Sequence, residues 1–258
     1  MLFTRRETLK LGTTGLVGLG ATATVVPFTA RAQSGGDTYK TDNGEITVNP
    51  ISHASFVMTV PGMVIYNDPV GGAAAYEGYP APDLILITHE HPDHYDPDTL
   101  KGLMQEGTRL ITNPAVLNML PEDLKAQASA IGNGESTTVG DLKIDAIPAY
   151  NTTEERLKYH PKGRDNGYVL TIDGRRVYIA GDTEDIPEMR ALEDIYIAFV
   201  PMNLPFTMDV EQAASAVAEF APRYVYPYHY KGSDPQAFAD KVAASHAETE
   251  VVLGPWYG

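Results

Sequence analysis

The chain has 258 residues, 43% of them hydrophobic, which is enough to bury the core of one large domain or two small ones. It carries 19 basic and 34 acidic side chains, so its net charge at neutral pH is −15. A surface with this charge repels phosphate backbones, which argues against nucleic acid as a partner or substrate. The chain has no cysteine, and this excludes disulfides, thiolate zinc sites and cysteine nucleophiles.

Residues 1–32 are typical of a twin-arginine signal peptide. Arg5 and Arg6 form the twin-arginine motif, a weakly apolar stretch follows from Leu11 to Phe28, and Ala30-Arg31-Ala32 offers a cleavage point. An uncleaved membrane anchor is the alternative, although about 18 weakly apolar residues are barely long enough to span a bilayer. We therefore expect a periplasmic protein that meets the twin-arginine export machinery and has no stable membrane association. Cleavage would leave a net charge of −18.

The next segment, residues 33–44, is polar and contains glycine, and we interpret it as a linker before a domain over residues 45–258. An unbroken apolar run at Asp83–Thr88 is typical of a strand covered on both faces. Asp173-Gly174 is a strong hairpin signal between two further strands. The other predicted strands are Glu45–Val48, Ser55–Val60, Met63–Tyr66, Arg109–Thr112, Leu142–Pro148, Gly167–Ile172, Arg176–Ala180, Ile195–Pro201, Tyr224–Tyr228 and Glu250–Leu253.

Helices are predicted between these strands because several Asp or Asn residues stand where helix N-caps are expected. Asp96-Pro97, Asn113-Pro114 and Asp234-Pro235 each combine a capping side chain with a first-turn proline. Asp209 and Gln212 form a capping pair before an alanine-rich segment. The alternation of strands and helices predicts an α/β domain with strands in two sheets and helices outside.

The strongest functional signal is the segment Thr88–His94, which directly follows the buried strand. It places four candidate metal ligands, His89, His91, Asp93 and His94, within six residues. A tight loop at a strand end can direct His89 and His91 to one ion, while Asp93 and His94 reach a second ion. Imidazole and carboxylate groups are ordinary zinc ligands. The alternative is a solvated polar loop.

This HxHxDH pattern resembles the signature of the metallo-β-lactamase-fold hydrolases, and the resemblance covers nearly the whole chain after the leader. Tyr66–Pro69 is similar to the family's early strand-end aspartate, Ala180–Thr183 to its bridging-carboxylate segment, and Tyr226–Tyr230 to its last histidine segment. The branch it most resembles includes L-ascorbate-6-phosphate lactonase. The resemblance implies a four-layer αββα sandwich with two mixed β-sheets and helices on the outer faces. It also implies two divalent ions, with Zn²⁺ expected first and Mn²⁺ or Fe²⁺ as alternatives.

Two later ligands are also favoured by their positions in the sequence. Asp182 follows a glycine at the end of a strand, where its carboxylate would be exposed at a sheet edge and could hold two cations. The alternative for Asp182 is an Asp-Thr turn. His229 ends the strand Tyr224–Tyr228, and its alternative is a structural histidine.

The sequence departs from the family where a third-motif histidine is expected. Tyr150-Asn151 stands after the strand that should carry this histidine, and the nearest histidine is His160. His160 would complete the first metal site if the loop 152–159 folds back over it. The carbonyl oxygen of Asn151 is the second candidate, and a surface role for His160 is the alternative. Without either ligand, the enzyme could work with one metal.

Several further residues are candidates for supporting roles. We favour a packed or second-shell role for His53 over direct metal contact. Asp68 would accept a hydrogen bond from the ring of a metal-bound histidine, or else form an Asp-Pro turn. Lys162, together with Arg164, could bind a carboxylate or phosphate of the substrate, or could be a solvated charge. Tyr228 is a candidate for the pocket lining, and Met202–Phe206 is a candidate for an apolar wall or for ordinary packing.

These residues predict an exported metal-dependent hydrolase. A metal-bridging hydroxide would attack a small, anionic ester, lactone or phosphoester, with Asp93 orienting the nucleophile and carrying its proton to the leaving group. Two alternatives remain: a metal-binding or sensing protein without catalysis, and a di-iron redox protein. The redox function would normally need a flavin partner domain, for which 258 residues leave no room.

Overall fold

Two seven-stranded sheets form the centre of the computed structural model, which describes residues 35–245 and 248–257. The predicted signal peptide at residues 1–32 lies outside the described part. The first sheet contains β1 (Asp37–Lys40), β2 (Glu45–Ser52), β3 (Ser55–Val60), β4 (Met63–Asn67), β5 (Leu84–Leu86), β6 (Arg109–Thr112) and β7 (Ala128–Ala130). The second contains β8 (Ser136–Val139), β9 (Leu142–Ala149), β10 (Asp165–Ile172), β11 (Arg175–Ile179), β12 (Ile195–Pro201), β13 (Tyr224–Tyr228) and β14 (Glu250–Val251).

Both sheets are mixed, and both follow the same plan. Neighbouring strands follow sequence order in each sheet. Strands β1 to β4 and β8 to β11 pair antiparallel, whereas β4 to β7 and β11 to β14 pair parallel. Asp173 and Gly174, both with positive φ, form the predicted turn between β10 and β11. Because parallel pairing needs a crossover, the helices lie mainly between the parallel strands of each sheet.

Four helices within the described ranges begin where the capping residues predict, whereas two short ones, at Glu122–Lys125 and Pro187–Arg190, have no capping side chain and are absent from the sequence predictions. Asp96 accepts hydrogen bonds from Asp98 and Thr99 at the first helix, and Asp209 and Gln212 form a complete capping box. The helices are α1 (Pro97–Leu103), α2 (Pro114–Met119), α3 (Glu122–Lys125), α4 (Pro187–Arg190), α5 (Val210–Phe220) and α6 (Pro235–Ala244), with short 3₁₀ turns at Ala73–Tyr76 and Glu154–Arg156.

Three apolar cores separate four layers. The central core lies between the sheets, where Phe56 of β3 stacks on Phe199 of β12 with ring centroids 4.2 Å apart. A second core joins the other face of the second sheet to α4, α5 and α6. A third joins the other face of the first sheet to α1, α2 and α3. The four-layer αββα sandwich predicted from the resemblance is therefore confirmed.

The linker prediction for residues 33–44 is wrong for residues 37–40, which form the edge strand β1 and pair with β2. Tyr39 is the one buried residue of β1, and its hydroxyl oxygen lies 2.5 Å from that of Tyr226. One buried side chain in a polar segment leaves too weak an alternation for the sequence to predict a strand. No helix in the described ranges is long and apolar enough to cross a membrane.

Candidate metal centre

The candidate ligands lie at one edge of the sandwich, where parallel strands of both sheets end. Asp68 follows β4, and the histidine-rich loop follows β5. Asp182 follows β11, and His229 follows β13. Carboxyl ends of parallel strands meet at one edge of a sheet, and this topology brings residues far apart in sequence together.

Local turns set the direction of the histidine-rich loop. The amides of His94 and Tyr95 both donate to the carbonyl oxygen of His91, at 2.9 and 2.8 Å. This turn returns the chain, so that the rings of His89 and His94 lie 4.1 Å apart. Asn113 secures the start of the loop by donating its side-chain amide to the carbonyl oxygen of Thr88.

Gly181 sets the direction of Asp182. Its φ is +66°, and a Cβ there would lie 2.7 Å from the carbonyl oxygen of Asn166. A side chain at this position would therefore clash with backbone as well as strain it. The Gly181 amide donates to the Tyr228 hydroxyl at 3.0 Å, which fixes the turn that presents Asp182.

The first group of ligand atoms comes from His89, His91, His160 and Asp182, with all four atoms within 4.8 Å of one another. Nε2 of His89 lies 3.1 Å from Nδ1 of His91, and Nε2 of His160 lies 3.4 Å from Oδ2 of Asp182. His89, His160 and Asp182 are buried, whereas His91 is partly exposed. Four nitrogen and oxygen donors at this spacing match the tetrahedral ligand set of zinc.

The second group comes from His53, Asp93, His94 and His229, within the same 4.8 Å limit. Oδ2 of Asp93 lies 3.0 Å from Nε2 of His53 and 3.4 Å from Nε2 of His229. Asp182 lies between the two groups. Its Oδ1 is 3.3 Å from Nε2 of His94, and its Oδ2 is 3.3 Å from Nε2 of His229. Asp182 is therefore placed to bridge two ions.

Hydrogen bonds from outside the groups turn histidine nitrogens toward their centres. Nδ1 of His94 lies 2.8 Å from Asp68, and Nδ1 of His160 lies 3.0 Å from Asp165. Among the described residues, Nε2 of His94, Nε2 of His160 and Oδ1 of Asp182 are buried without a hydrogen-bond partner. Buried polar atoms normally have partners, and metal-bound histidines normally donate their other nitrogen to a carboxylate. The residues therefore fit divalent metal ions.

The electrostatics of the site agree with this fit. Burial lowers the pKa of His89 well below the ordinary histidine value. Burial would raise the pKa of Asp182, but the charges of His229 and His94 outweigh it and hold that pKa well below its usual range. Burial opposes a charge on His94, yet Asp182 and Asp68 raise its pKa well above the ordinary value. The Asp182 carboxylate thus stays ionised and attracts positive charge, as a cation site requires.

His160 completes the first group because its loop folds back as predicted. The Asn151 amide donates to the His160 carbonyl oxygen at 2.8 Å and so closes the loop 152–159. Asn151 uses its side-chain amide to hold the carbonyl oxygens of Arg156 and Phe206. The structure therefore brings His160 among the candidate ligands and gives the Asn151 amide a role in shaping the loop.

His53 belongs to the second group of candidate ligands and also hydrogen-bonds to another member, Asp93, at 3.0 Å. This position is compatible with the favoured second-shell role and with direct metal contact, but not with simple packing. Its backbone has φ of +55°, as His229 has φ of +45° and Asp68 of +42°. Left-handed conformations of such residues are strained and concentrate at functional sites. The expected hydrogen bond between Asp68 and a candidate ligand histidine, His94, is present.

Lys162 and Tyr228 do not have the predicted contacts with a pocket. Nζ of Lys162 lies 3.2 Å from Glu188 and 3.0 Å from the Tyr150 hydroxyl, so its charge is already paired. Arg164 pairs with Asp165 and Glu90. Tyr228 is fully buried and supports Gly181 instead. Sequence alone cannot tell a paired cation from a free one, since the acidic partners lie on other elements.

Two residues that hold the site are absent from the sequence predictions. The Tyr257 hydroxyl lies 2.7 Å from Nδ1 of His53, with no local motif to mark it. Glu184, fully buried, accepts hydrogen bonds from the backbone and hydroxyl groups of Thr152 and Thr153, and pairs with Arg156. Its only signal is its position two residues after Asp182.

Comparison with known proteins agrees with a metal-binding site. Residues 47–229 match the beta-lactamase superfamily domain. A UPF0173 metal-dependent hydrolase of Thermococcus onnurineus is 31% identical over 222 residues, which are 81% of this chain and 97% of that protein.

Two solved structures share the fold over most of their length. A protein of Parabacteroides distasonis, provisionally described as a metal-dependent hydrolase, is 42% identical with a TM-score of 0.78, over 86% of this chain and 99% of its own. A metallo hydrolase from the archaeon Ignicoccus hospitalis is 26% identical with a TM-score of 0.67, over 81% and 94%. The chain therefore belongs to the beta-lactamase superfamily, as a metal-dependent hydrolase of the UPF0173 family.

Proposed function

We propose that this enzyme uses two divalent ions to hydrolyse a small ester, lactone or phosphoester, and that it works in the periplasm. The observation that supports this most directly is the pair of four-donor groups with Asp182 between them. Paired metal sites of this kind share a carboxylate and hold their ions roughly 3.5–4 Å apart. The substrate classes include the lactones expected from the resemblance to L-ascorbate-6-phosphate lactonase.

Zinc is the proposed metal because both groups combine imidazole nitrogens with carboxylate oxygens. Manganese and iron accept similar ligands, and zinc binds such sites more tightly than either. A divalent ion bound there supplies Lewis-acid chemistry, since it lowers the pKa of a water molecule toward neutrality and draws charge from a carbonyl or phosphoryl oxygen.

Asp93 is the proposed proton carrier of the reaction. Its side chain is 48% exposed, and it lines a cavity of about 300 Å³ beside the two groups. Its Oδ2 lies against His53 and His229, so we assign Oδ1 the role of accepting a proton from the attacking water and passing it to the leaving group. His53 and His229 orient this carboxylate.

Metal analysis combined with turnover tests this function. We expect about two zinc ions per chain, hydrolysis of an ester, lactone and phosphoester panel that includes a sugar-phosphate lactone, and loss of turnover after chelation. Asp182→Ala should reduce the bound metal to one ion per chain or fewer. Unchanged metal content in this variant would contradict the bridging role. Two ions without turnover would favour a sensing protein, and an iron absorption spectrum would favour the redox function.

Export through the twin-arginine pathway is a separate proposal and rests on Arg5 and Arg6. Replacing both with lysine should keep the protein in the cytoplasm, as measured by fractionation of the producing cells. Appearance of the double variant in the periplasm in normal amounts would contradict a twin-arginine signal.

A further inference from the structure

The cavity beside the metal ligands has an aromatic wall that the chemistry of hydrolysis does not require. It is lined by His91, Pro92, Asp93, Tyr159, Asp182, Asn203 and Phe206. Tyr159 and Phe206 meet edge to face, with ring centroids 5.0 Å apart and planes at 71°. A volume of about 300 Å³ suits a small molecule.

Phe206 is 40% exposed, and the neighbouring Leu204 is 49% exposed. Their segment is nevertheless held firmly. The Asn203 carbonyl oxygen accepts from the amides of Phe206 and Thr207, and Asn151 donates its side-chain amide to the Phe206 carbonyl oxygen at 2.8 Å. An exposed aromatic ring on a fixed turn beside a reactive site is a preformed contact surface, because little conformational freedom is lost when a ligand covers it.

The nearby cations are engaged elsewhere. Lys162 pairs with Glu188, Arg164 with Asp165, and Arg156 with Glu184. Within the described ranges, no lysine or arginine lines the cavity. A charged group on the part of the substrate that does not react would therefore find no counter-ion in this wall.

We propose that the cavity selects substrates whose non-reacting group is uncharged and apolar, with an aromatic or branched aliphatic group seated against Tyr159 and Phe206. This inference rests on the proposed function, and it favours esters and lactones over phosphoesters. Water adds to the acyl carbon, the acyl–oxygen bond breaks, and Asp93 passes the water's proton to the leaving oxygen. An ester then gives a carboxylic acid that keeps the apolar group and an alcohol, whereas a lactone gives one hydroxy acid.

Paired hydroxamates test the wall without requiring turnover. Acetohydroxamate and benzohydroxamate present the same metal-binding group and differ in methyl against phenyl. Calorimetric titration of the zinc-loaded protein should give about tenfold tighter binding of benzohydroxamate, which is in the range expected for partial burial of a ring. Phe206→Ala should reduce this ratio to about threefold or less without changing the zinc content. Met119→Ala, which removes a side chain 56% exposed outside the cavity, should leave the ratio at about tenfold.

The outcomes separate this inference from the proposed function. An equal ratio in the native enzyme and Phe206→Ala would overturn the apolar wall, even if esters are hydrolysed. A ratio that depends on Phe206 in a protein without turnover would support the wall and contradict the hydrolytic function. A protein that binds neither zinc nor hydroxamate would overturn both. Tighter binding of 4-carboxybenzohydroxamate, which keeps the metal-binding group and adds a negative charge to the far end of the ring, than of benzohydroxamate would also overturn the inference.

Discussion

The two ligand groups differ in how far the protein encloses them. In the first group, His89 and His160 are fully buried, and the carboxylate that holds His160 is the buried Asp165 at the start of β10. In the second group, His94 and His229 are buried, but Asp93 is half exposed and His53 is partly exposed. We therefore expect the first group to bind an ion more tightly than the second, whose exposed carboxylate lines the cavity together with His91.

The largest expected effect comes from removing a direct ligand of the enclosed group. His160→Ala should weaken binding of the tighter ion by more than 100-fold, because loss of an outer partner alone costs about 10- to 100-fold. Chelator competition with zinc measures both affinities. Asn151→Ala is the comparison variant and should weaken the affinities much less, because it removes hydrogen bonds that shape the loop and no candidate ligand. A comparable loss in both variants would contradict a direct ligand role for His160.

Exchanging the outer carboxylates should separate the two groups. Asp68→Asn replaces the carboxylate partner of His94 Nδ1 with a neutral amide and should weaken the second ion by about 10- to 100-fold. Asp165→Asn makes the same change at the partner of His160 Nδ1 and should affect the first ion instead. Titration of each variant with Co²⁺, followed by its absorption spectrum, reports the two sites. Equal effects on both ions from either variant would show that the groups are not independent.

Tyr257→Phe should have a smaller effect, confined to the second group. It removes one neutral hydrogen bond to His53, worth about 1 kcal/mol, so the weaker ion should bind about fivefold less tightly. Tyr230→Phe provides the control. The ring of Tyr230 packs against that of Tyr257 with centroids 4.9 Å apart, and this substitution removes no contact to His53. If both variants bind zinc like the native protein, the Tyr257 hydroxyl does not position His53.

The last prediction concerns the stability of the fold and its pH dependence, and not the metal affinity. Burial would raise the pKa of Glu184, but hydrogen bonds from Thr153 and Thr152 outweigh it and lower the pKa below the ordinary value of 4.5. The charged form therefore stabilises the fold above pH 4.5, and this contribution is lost as the pH falls through the folded-state pKa.

Glu184→Gln should reduce the free energy of unfolding by about 1–3 kcal/mol at pH 7, and by less below pH 4. Urea unfolding at both pH values measures this difference. Glu122→Gln, which removes an ion pair of an 88% exposed side chain, should change stability little at either pH. A Glu184→Gln deficit that does not shrink in acid would contradict the role of the charge.

The sequence predicts the ligands that follow strands better than the contacts that support them. His89, His91, Asp93 and His94 are adjacent in sequence and follow an apolar run, so both their position and their chemistry can be predicted. His53 and Tyr257 are far apart in sequence, and their hydrogen bond depends on how the turn between β2 and β3 packs against the segment that follows β14. The ion pair of Lys162 could not be predicted for the same reason, because it depends on where α4 places Glu188.

Each ligand group draws on both sheets of the sandwich. His89 and His91 follow a strand of the first sheet, whereas His160 and Asp182 adjoin strands of the second, and His229 joins the second group from the same side. An ion bound here is consequently a cross-link between the two halves of the chain. By mass action, a ligand at 1,000 times its dissociation constant adds about 4 kcal/mol to folding stability. We therefore expect the thermal stability of the folded protein, as well as its activity, to depend on the available metal concentration.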